Sequence, residues 1–249
     1  MDARDAEGDP DLSAVAKLLA EPPRAKALMA LADGRWLPAS MLALEAGVSG
    51  STMSGHLARL VDGGLLTVQQ QGRYRYFRLA DPWVAELVEV MARCAPRLRI
   101  SSLRADTRAR AVRRARHCYD HLGGRLAVAI TAAMLRDRHL DAAGQDLVTD
   151  PGALPARVLG PSAVTLTASG SALLERLGAH VPAGTPARCC VDWTEHRHHL
   201  AGAPGRAVLD ACREHGWISP GTHPRALRLS GQGRDRLESV FGIELTEMS

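Results

Sequence analysis

Residues 46–66 read AGVSGSTMSGHLARLVDGGLL, and this stretch decides the fold of the first third of the chain. Ser49 stands where a helix N-cap is expected. Met53, Leu57, Leu60 and Val61 recur at helical spacing to make one apolar face, and Gly63-Gly64 stops the helix after Asp62. Just upstream, Leu37 to Gly47 (LPASMLALEAG) reads as a shorter helix closed by Gly47. Two short helices joined by a glycine-containing turn predict a helix-turn-helix. Ser49, Ser51, Thr52, Ser54, His56 and Arg59 are left on the exposed side of the second helix. A helix end entering a major groove brings free backbone N–H groups to phosphates and short hydroxyl side chains to base edges. Ser51 and Thr52 lie in that first turn, Ser54 is expected to face bases or nearby phosphates, and Arg59 suits the nucleic-acid backbone.

The flanking segments extend the pattern. From Asp11 to Ala32, apolar residues at Leu12, Val15, Leu18 and Leu19, then Ala27, Leu28 and Leu31, predict two helices divided by Pro22-Pro23. After the glycine pair, LLTVQQQGRYRYFRLAD alternates at Leu66 and Val68, then Tyr74, Tyr76 and Arg78, around Gln70-Gln71-Gly72-Arg73. That is a β-hairpin signature, and its tip carries Arg73 and Arg75, suited to phosphates or the adjacent minor groove. Beyond Pro82, Trp83, Leu87, Val90, Met91 and Cys94 form a helical stripe with Glu86 and Glu89 opposite. This stripe is expected either to pack on its own domain or to form a dimer seam with the N-terminal helix.

In this order, the motifs resemble the ArsR/SmtB-like winged helix-turn-helix regulators over residues 11–95. AKLLAEPPRAKALMALADG resembles that family's opening helices, AGVSGSTMSGHLARLVDGGLL its reading helix, and QQQGRYRYFRLA its wing. The resemblance implies a homodimer on a palindromic double-stranded DNA operator, repression by occlusion, and release when an effector binds. Gly50 and Gly55 depart from the larger polar residues often found in the family's reading helix, so base preference is not carried over. The cysteine pair used by metalloid-sensing relatives is absent from Leu42-Ala43-Leu44-Glu45-Ala46-Gly47. The helix ending at Cys94 also lacks the carboxylate and histidine set of zinc-sensing relatives.

The 249 residues favour two domains over one. Apolar residues at 46% and charged residues at 23% are ordinary globular usage. With a polar N-terminal decapeptide and no run of 18 apolar residues, the expectation is a cytoplasmic protein without membrane contact, its five cysteines reduced. The net charge of +4 is compatible with a nucleic-acid partner without requiring one. Eight arginines and one acid, Asp106, lie between Arg97 and Arg116. That bias reads as a solvated helical face or linker, with phosphate contact as the alternative. The expected organisation is a DNA-binding and dimerisation domain over 1–95, an arginine-rich linker or helix over 96–115, and a C-terminal effector or assembly domain over 116–249. The fold class is α+β, mainly helical with short hairpins.

Residues 116–249 carry a faint internal repeat. Asp120-His121-Leu122-Gly123-Gly124-Arg125 recurs as His198-His199-Leu200-Ala201-Gly202-Ala203. Each copy continues as an apolar helix ending near Leu140 or Ile218. Each then reaches a strand and another helix, at Val164-Thr165-Leu166-Thr167 before Gly170–Leu177 and at Leu227-Arg228-Leu229-Ser230 before Gly233–Val240. A pseudo-duplicated pair of helix-strand-helix units is expected, with a longer loop in the first. A seam between such units suits a small organic effector, with Tyr119 and Trp193 as pocket walls. This region also holds nine of the ten histidines and four of the five cysteines. On a helix, His117 and His121, or Cys118 and His121, would share one face. Cys189-Cys190 precedes His196, His198 and His199. These groups make Cys118, Tyr119, His121, Cys190, Trp193 and His199 the candidate effector residues. A small molecule is favoured over a divalent metal or a thiol switch, and an effector-free architectural DNA-binding protein is the remaining alternative. No catalytic motif supplies a nucleophile, although Asp192, His196 and His199 could cluster, and neither an enzyme nor a cofactor is expected.

Overall fold

The computed structural model describes residues 9–100, 102–145, 147 and 162–245, and its contacts divide the chain into two compact units, Met1–Ala85 and Glu86–Ser249. In the first unit, α1 (Leu12–Leu19) is capped by Asp11, whose carboxylate accepts from Ser13 N and Ala14 N. Helix α2 (Pro22–Leu31) starts on two prolines, whose missing N–H groups cost nothing in a first turn. The buried Arg24 donates to the carbonyls of Leu18 and Lys17, both at 2.6 Å, satisfying the frayed end of α1.

The helix expected from Leu37 starts later. Leu37–Pro38 is a short strand, β1, and α3 covers Ala39–Ala46. The proline holds extended backbone, and the pair lies against Phe77 and Tyr76. Gly47 closes α3 in the left-handed region at φ +74°. Helix α4 (Gly50–Asp62) follows from its cap Ser49, which accepts from Thr52 N at 3.1 Å. Met53, Leu57 and Leu60 are fully buried, while Val61 is only half-buried. Strands β2 (Leu66–Gln71) and β3 (Tyr74–Leu79) form the hairpin, and the sheet runs β1-β3-β2. Its turn is shorter than expected, reduced to Gly72 and Arg73 by the Gln71–Tyr74 pair. Its buried side is Leu66, Phe77 and Leu79, whereas Tyr74 and Arg78 are exposed and Tyr76 is half-exposed. The alternation was therefore correct in period, with the solvent face occupied by tyrosine and arginine.

Helix α5 (Pro82–Cys94) follows the wing. Its buried positions are Val84, Ala85, Val88 and Glu89, and the apolar stripe at Trp83 and Met91 remains 49% and 43% exposed. Glu89, opposite the stripe, is buried. It forms ion pairs with Arg225 and, at 3.9 Å, with Arg116.

In the second unit, α6 (Leu103–Arg114) is capped by Ser102. The arginine-rich stretch is largely consumed within the chain. Arg110 pairs with Asp106, Arg113 with Glu195, and Arg97 donates to the Thr194 carbonyl at 3.0 Å. Arg116 is fully buried, which removes it as a phosphate contact. A hairpin of β4 (Arg116–Cys118) and β5 (His121–Gly123) then leads into α7 (Arg125–Arg136), β6 (Leu140–Asp141), β7 (Ser162–Leu166) and α8 (Ala168–Glu175). A second hairpin of β8 (Pro186–Val191) and β9 (His198–Ala201) leads into α9 (Gly202–Glu214), β10 (Ile218–Pro220), β11 (Leu227–Leu229) and α10 (Gly231–Phe241).

The expected helix-strand-helix units are therefore preceded by hairpins, and α7 and α9 end at Arg136 and Glu214, leaving Leu140 and Ile218 to strands. The expected longer loop of the first copy falls mostly outside the described residues. One sheet has the order β6-β7-β8-β9. On the other side, β10-β11 meets β4-β5 through an Arg116–Ala226 bridge, with Leu227 N donating to Ala115 O and His117 N to Arg225 O. Thus each hairpin extends strands from the opposite half of the sequence. Buried faces of α7 (Leu126, Ile130, Met134) and α9 (Val208, Leu209, Cys212) fill the core, joined by Leu166, Leu174, Leu177 and Leu237. Thr131 on α7 accepts from Leu200 N at 2.8 Å, tying that helix to β9.

Candidate DNA interface and a buried cysteine–histidine centre

At the start of α4, Ser49, Ser51, Thr52, Ser54 and Arg59 are exposed. The Ser49 hydroxyl lies 2.9 Å from that of Ser51 and 2.8 Å from that of Thr52, so capping and presentation share one hydroxyl cluster. Ser54 donates back to Gly50 O at 2.9 Å. His56 departs from the exposed-side expectation: it is half-buried, and its Nδ1 is buried without a hydrogen-bond partner. Gly50 and Gly55 face open space, since a Cβ at either meets nothing within 4 Å. Those two positions leave the surface of α4 bare where larger side chains would project.

The wing tip is exposed. Gly72 takes φ +59°, and Arg73 donates to the Tyr74 hydroxyl at 2.9 Å while lying over its ring. The Arg75 guanidinium lies over Phe77. The aromatic partners restrain both arginines without neutralising them, which leaves two oriented cations on a protruding hairpin. A helix-turn-helix with a basic wing and an uncluttered, hydroxyl-bearing helix start defines a winged-helix DNA-binding protein.

The chain belongs to the HTH-type transcriptional regulators. It is 32% identical over 238 residues to YdfF of Bacillus subtilis (strain 168), an uncharacterized HTH-type transcriptional regulator, covering 95% of this chain and 100% of YdfF. The HTH-type transcriptional regulator CmtR of Mycobacterium tuberculosis is 37% identical over 84 residues, 32% of this chain and 70% of CmtR. The solution structure of the cadmium metal-sensor CMTR from the same organism matches at 28% identity with a TM-score of 0.30, over 36% of this chain and 94% of that one. No family model matches the chain. The helix-turn-helix reading of the N-terminal motifs agrees with this membership.

The C-terminal candidates do not lie on a helix. Gly124 at φ +82° delays α7 until Arg125, so His117 and Cys118 fall on β4 and His121 on β5. Cys118 and His121 are direct cross-strand partners around Tyr119-Asp120, with Tyr119 itself at φ +55°. In the other hairpin, Cys190 is the cross-strand partner of His199. The two hairpins bring His121 Nε2 within 3.2 Å of His199 Nε2, and the donors of Cys118, His121 and His199 all lie within 4.8 Å of one another. All three residues are buried, and Cys190, half-buried, lies opposite His199 on the neighbouring strand. Trp193 is half-buried beneath the Arg116 guanidinium. Tyr119 occupies the hairpin turn. Hollows of about 730 and 600 Å3 elsewhere on the unit are lined by neither aromatic.

Two aspartates flank the centre, a feature sequence reasoning undervalued although each follows a candidate cysteine in a Cys-x-Asp pattern: Cys118-Tyr119-Asp120 and Cys190-Val191-Asp192. Asp120 lies 3.0 Å from His121 Nδ1 and pairs with Arg206. Burial would raise its pKa, but the His121 and Arg206 hydrogen bonds outweigh that and hold it at about 2. Asp192 is fully buried. It accepts from Gly124 N at 2.6 Å, Thr194 N at 2.8 Å, Thr194 Oγ1 at 2.5 Å, Glu195 N at 3.0 Å and Arg116 at 2.9 Å. Against the cost of burial, the Arg116 charge keeps its carboxyl well below the usual range. His199 is held neutral by burial and by His121. Its Nδ1 has no hydrogen-bond partner and lies 3.9 Å from Asp192 Oδ2. The neighbouring Cys190 thiol and burial push the Cys118 thiol up, which favours its protonated form.

Proposed function

We propose that the chain is a cytoplasmic, homodimeric repressor that occupies a palindromic operator and is released by a signal received in its C-terminal unit. The observation that carries the DNA-binding half is the pairing of an exposed hydroxyl cluster at the start of α4 with the exposed Arg73–Arg75 wing tip. Dimerisation is supported by apolar surface that a lone protomer leaves in water. No residue of α1 is buried, Leu12 is 79% exposed, and the Trp83–Met91 stripe of α5 is open. Nothing in this reading calls on catalysis.

A phosphate contact and a base contact fail differently. Arg73→Ala is expected to weaken binding to all duplexes and to lower the slope of log affinity against log salt by about 1. Ser51→Ala is expected to lower affinity for the preferred site by about tenfold and to leave non-specific binding in place. Anisotropy titrations on the chain's own upstream DNA and on a scrambled duplex measure both. Unchanged affinity in both variants would remove these residues from the interface.

For the signal, the convergence of Cys118, His121 and His199 favours a metal or thiol input over a small organic effector held between Tyr119 and Trp193.

A further inference from the structure

We infer that Cys118, His121, Cys190 and His199 form a tetrahedral site for one Zn(II)-class ion, shared between the two hairpins of the C-terminal unit. The donor set is the borderline-soft mixture of thiolate and imidazole that selects such ions over calcium or magnesium. The geometry is close to that of a loaded site. Metal–nitrogen bonds of about 2.0–2.1 Å at a tetrahedral angle put two imidazole nitrogens about 3.3 Å apart, and His121 Nε2 and His199 Nε2 stand at 3.2 Å. The Cys118 Sγ lies within 4.8 Å of both imidazole donors, and Cys190 stands on the neighbouring strand as the cross-strand partner of His199, the position from which a fourth ligand would close the site.

The surroundings give a second, independent argument. Histidine ligands ordinarily present their distal ring nitrogen to a carboxylate, which fixes the tautomer and leaves the other nitrogen's lone pair for the metal. Asp120 does this for His121 at 3.0 Å. Asp192 is placed to do it for His199, whose Nδ1 is buried and unpartnered 3.9 Å away. When both Nδ1 atoms carry protons toward carboxylates, two Nε2 lone pairs converge in a buried space, and a cation bound between them satisfies both at once. Loading displaces to solvent the thiol protons of Cys118 and Cys190 and the extra proton of any His121 imidazolium, so two thiolates and two neutral imidazoles surround a dication and the ion with its four ligands carries no net charge.

The same residues connect the site to the helix that follows the wing in the chain. Asp192 also holds Arg116, and Arg116 pairs with Glu89 on α5. Drawing His199 Nδ1 onto Asp192 changes the partners of that carboxylate and hence the ion cluster that fixes α5. This regulatory consequence rests on the repressor reading above, whereas the site itself does not.

The test uses the full chain, reduced and stripped with chelator, then titrated with Co(II) and Zn(II). The expected result is one ion per chain, with the intense ligand-field bands of tetrahedral cobalt and thiolate-to-cobalt charge transfer, both bleached by zinc. Cys118→Ser and Cys190→Ser are each expected to lose charge-transfer intensity and to weaken zinc binding at least 100-fold. Asp120→Asn is expected to weaken it about 10–100-fold with the bands retained, and Cys94→Ser to change neither. The wild-type titration requires no variant to fold. Absence of tetrahedral cobalt bands in the reduced wild type, bands unaltered in both serine variants, or a Cys118–Cys190 disulfide forming in place of metal uptake would each overturn the site. None of these results depends on DNA binding, so failure of the metal site and failure of the repressor reading are told apart.

Discussion

Asp192→Ala is expected to destabilise the C-terminal unit by about 3–5 kcal/mol, because it leaves a charge in the core with its main partner gone. Arg116 is fully buried and its closest carboxylate is Asp192 at 2.9 Å, with Glu89 at 3.9 Å. The same substitution strips acceptors from the backbone N–H groups of Gly124, Thr194 and Glu195, which hold the first hairpin and the loop after β8 in place. Each buried donor left unmade adds a desolvation cost. Denaturant melts followed through Trp217, which is buried in this unit, measure the loss. Removing both charges with Arg116→Met and Asp192→Asn is expected to cost less than the sum of the single changes, since neither ion is then stranded. A loss below about 1 kcal/mol for Asp192→Ala would mean that Arg116 finds water or another anion, and the hub would have to be abandoned.

The second large effect belongs to the winged-helix unit. Leu57→Ala is expected to cost about 2–5 kcal/mol, the range for truncating a fully buried leucine whose surroundings relax only in part. Leu57 shares the buried face of α4 with Met53 and Leu60, so the cavity opens directly beneath the helix that carries the exposed hydroxyl cluster. Operator affinity should fall with the melting of this unit and recover on cooling. Circular dichroism and anisotropy recorded on one sample test that link. A variant as stable as wild type, or one that melts while still holding the operator, would contradict the placement of α4.

The DNA-binding unit was legible because its determinants are local. Ser49 as a cap, glycines at the stops, period 3.6 on α4 and period 2 on β2 and β3 each act within a few residues. The β1 strand was missed because Leu37 and Pro38 become a strand only through pairing with Phe77 and Tyr76, far along the chain. The burial of Glu89 was not legible for the same reason, its partners Arg116 and Arg225 being supplied by other elements.

In the C-terminal unit Cys118 and His121 do face each other, but through a geometry other than the expected helix face. The spacing of Cys118 and His121 fits one face of a helix, but it also fits two positions flanking a two-residue hairpin turn, where they face each other directly. Nothing local marks the choice. Tyr119 adopts a positive φ without being glycine, and Gly124, not the apolar run after it, sets where the helix begins. The meeting of His121 with His199 is a tertiary fact, marked in the sequence only by the recurrence of Cys-x-Asp at Cys118-Tyr119-Asp120 and Cys190-Val191-Asp192.

The most direct test of the account is operator affinity of the reduced full chain, at one fixed ionic strength, with and without one equivalent of Zn(II). The expected result is a decrease of about 5–150-fold on loading, the range of ordinary allosteric coupling, that disappears in Cys118→Ser. Identical affinity with and without bound zinc would contradict the claim that the C-terminal centre controls the winged helix.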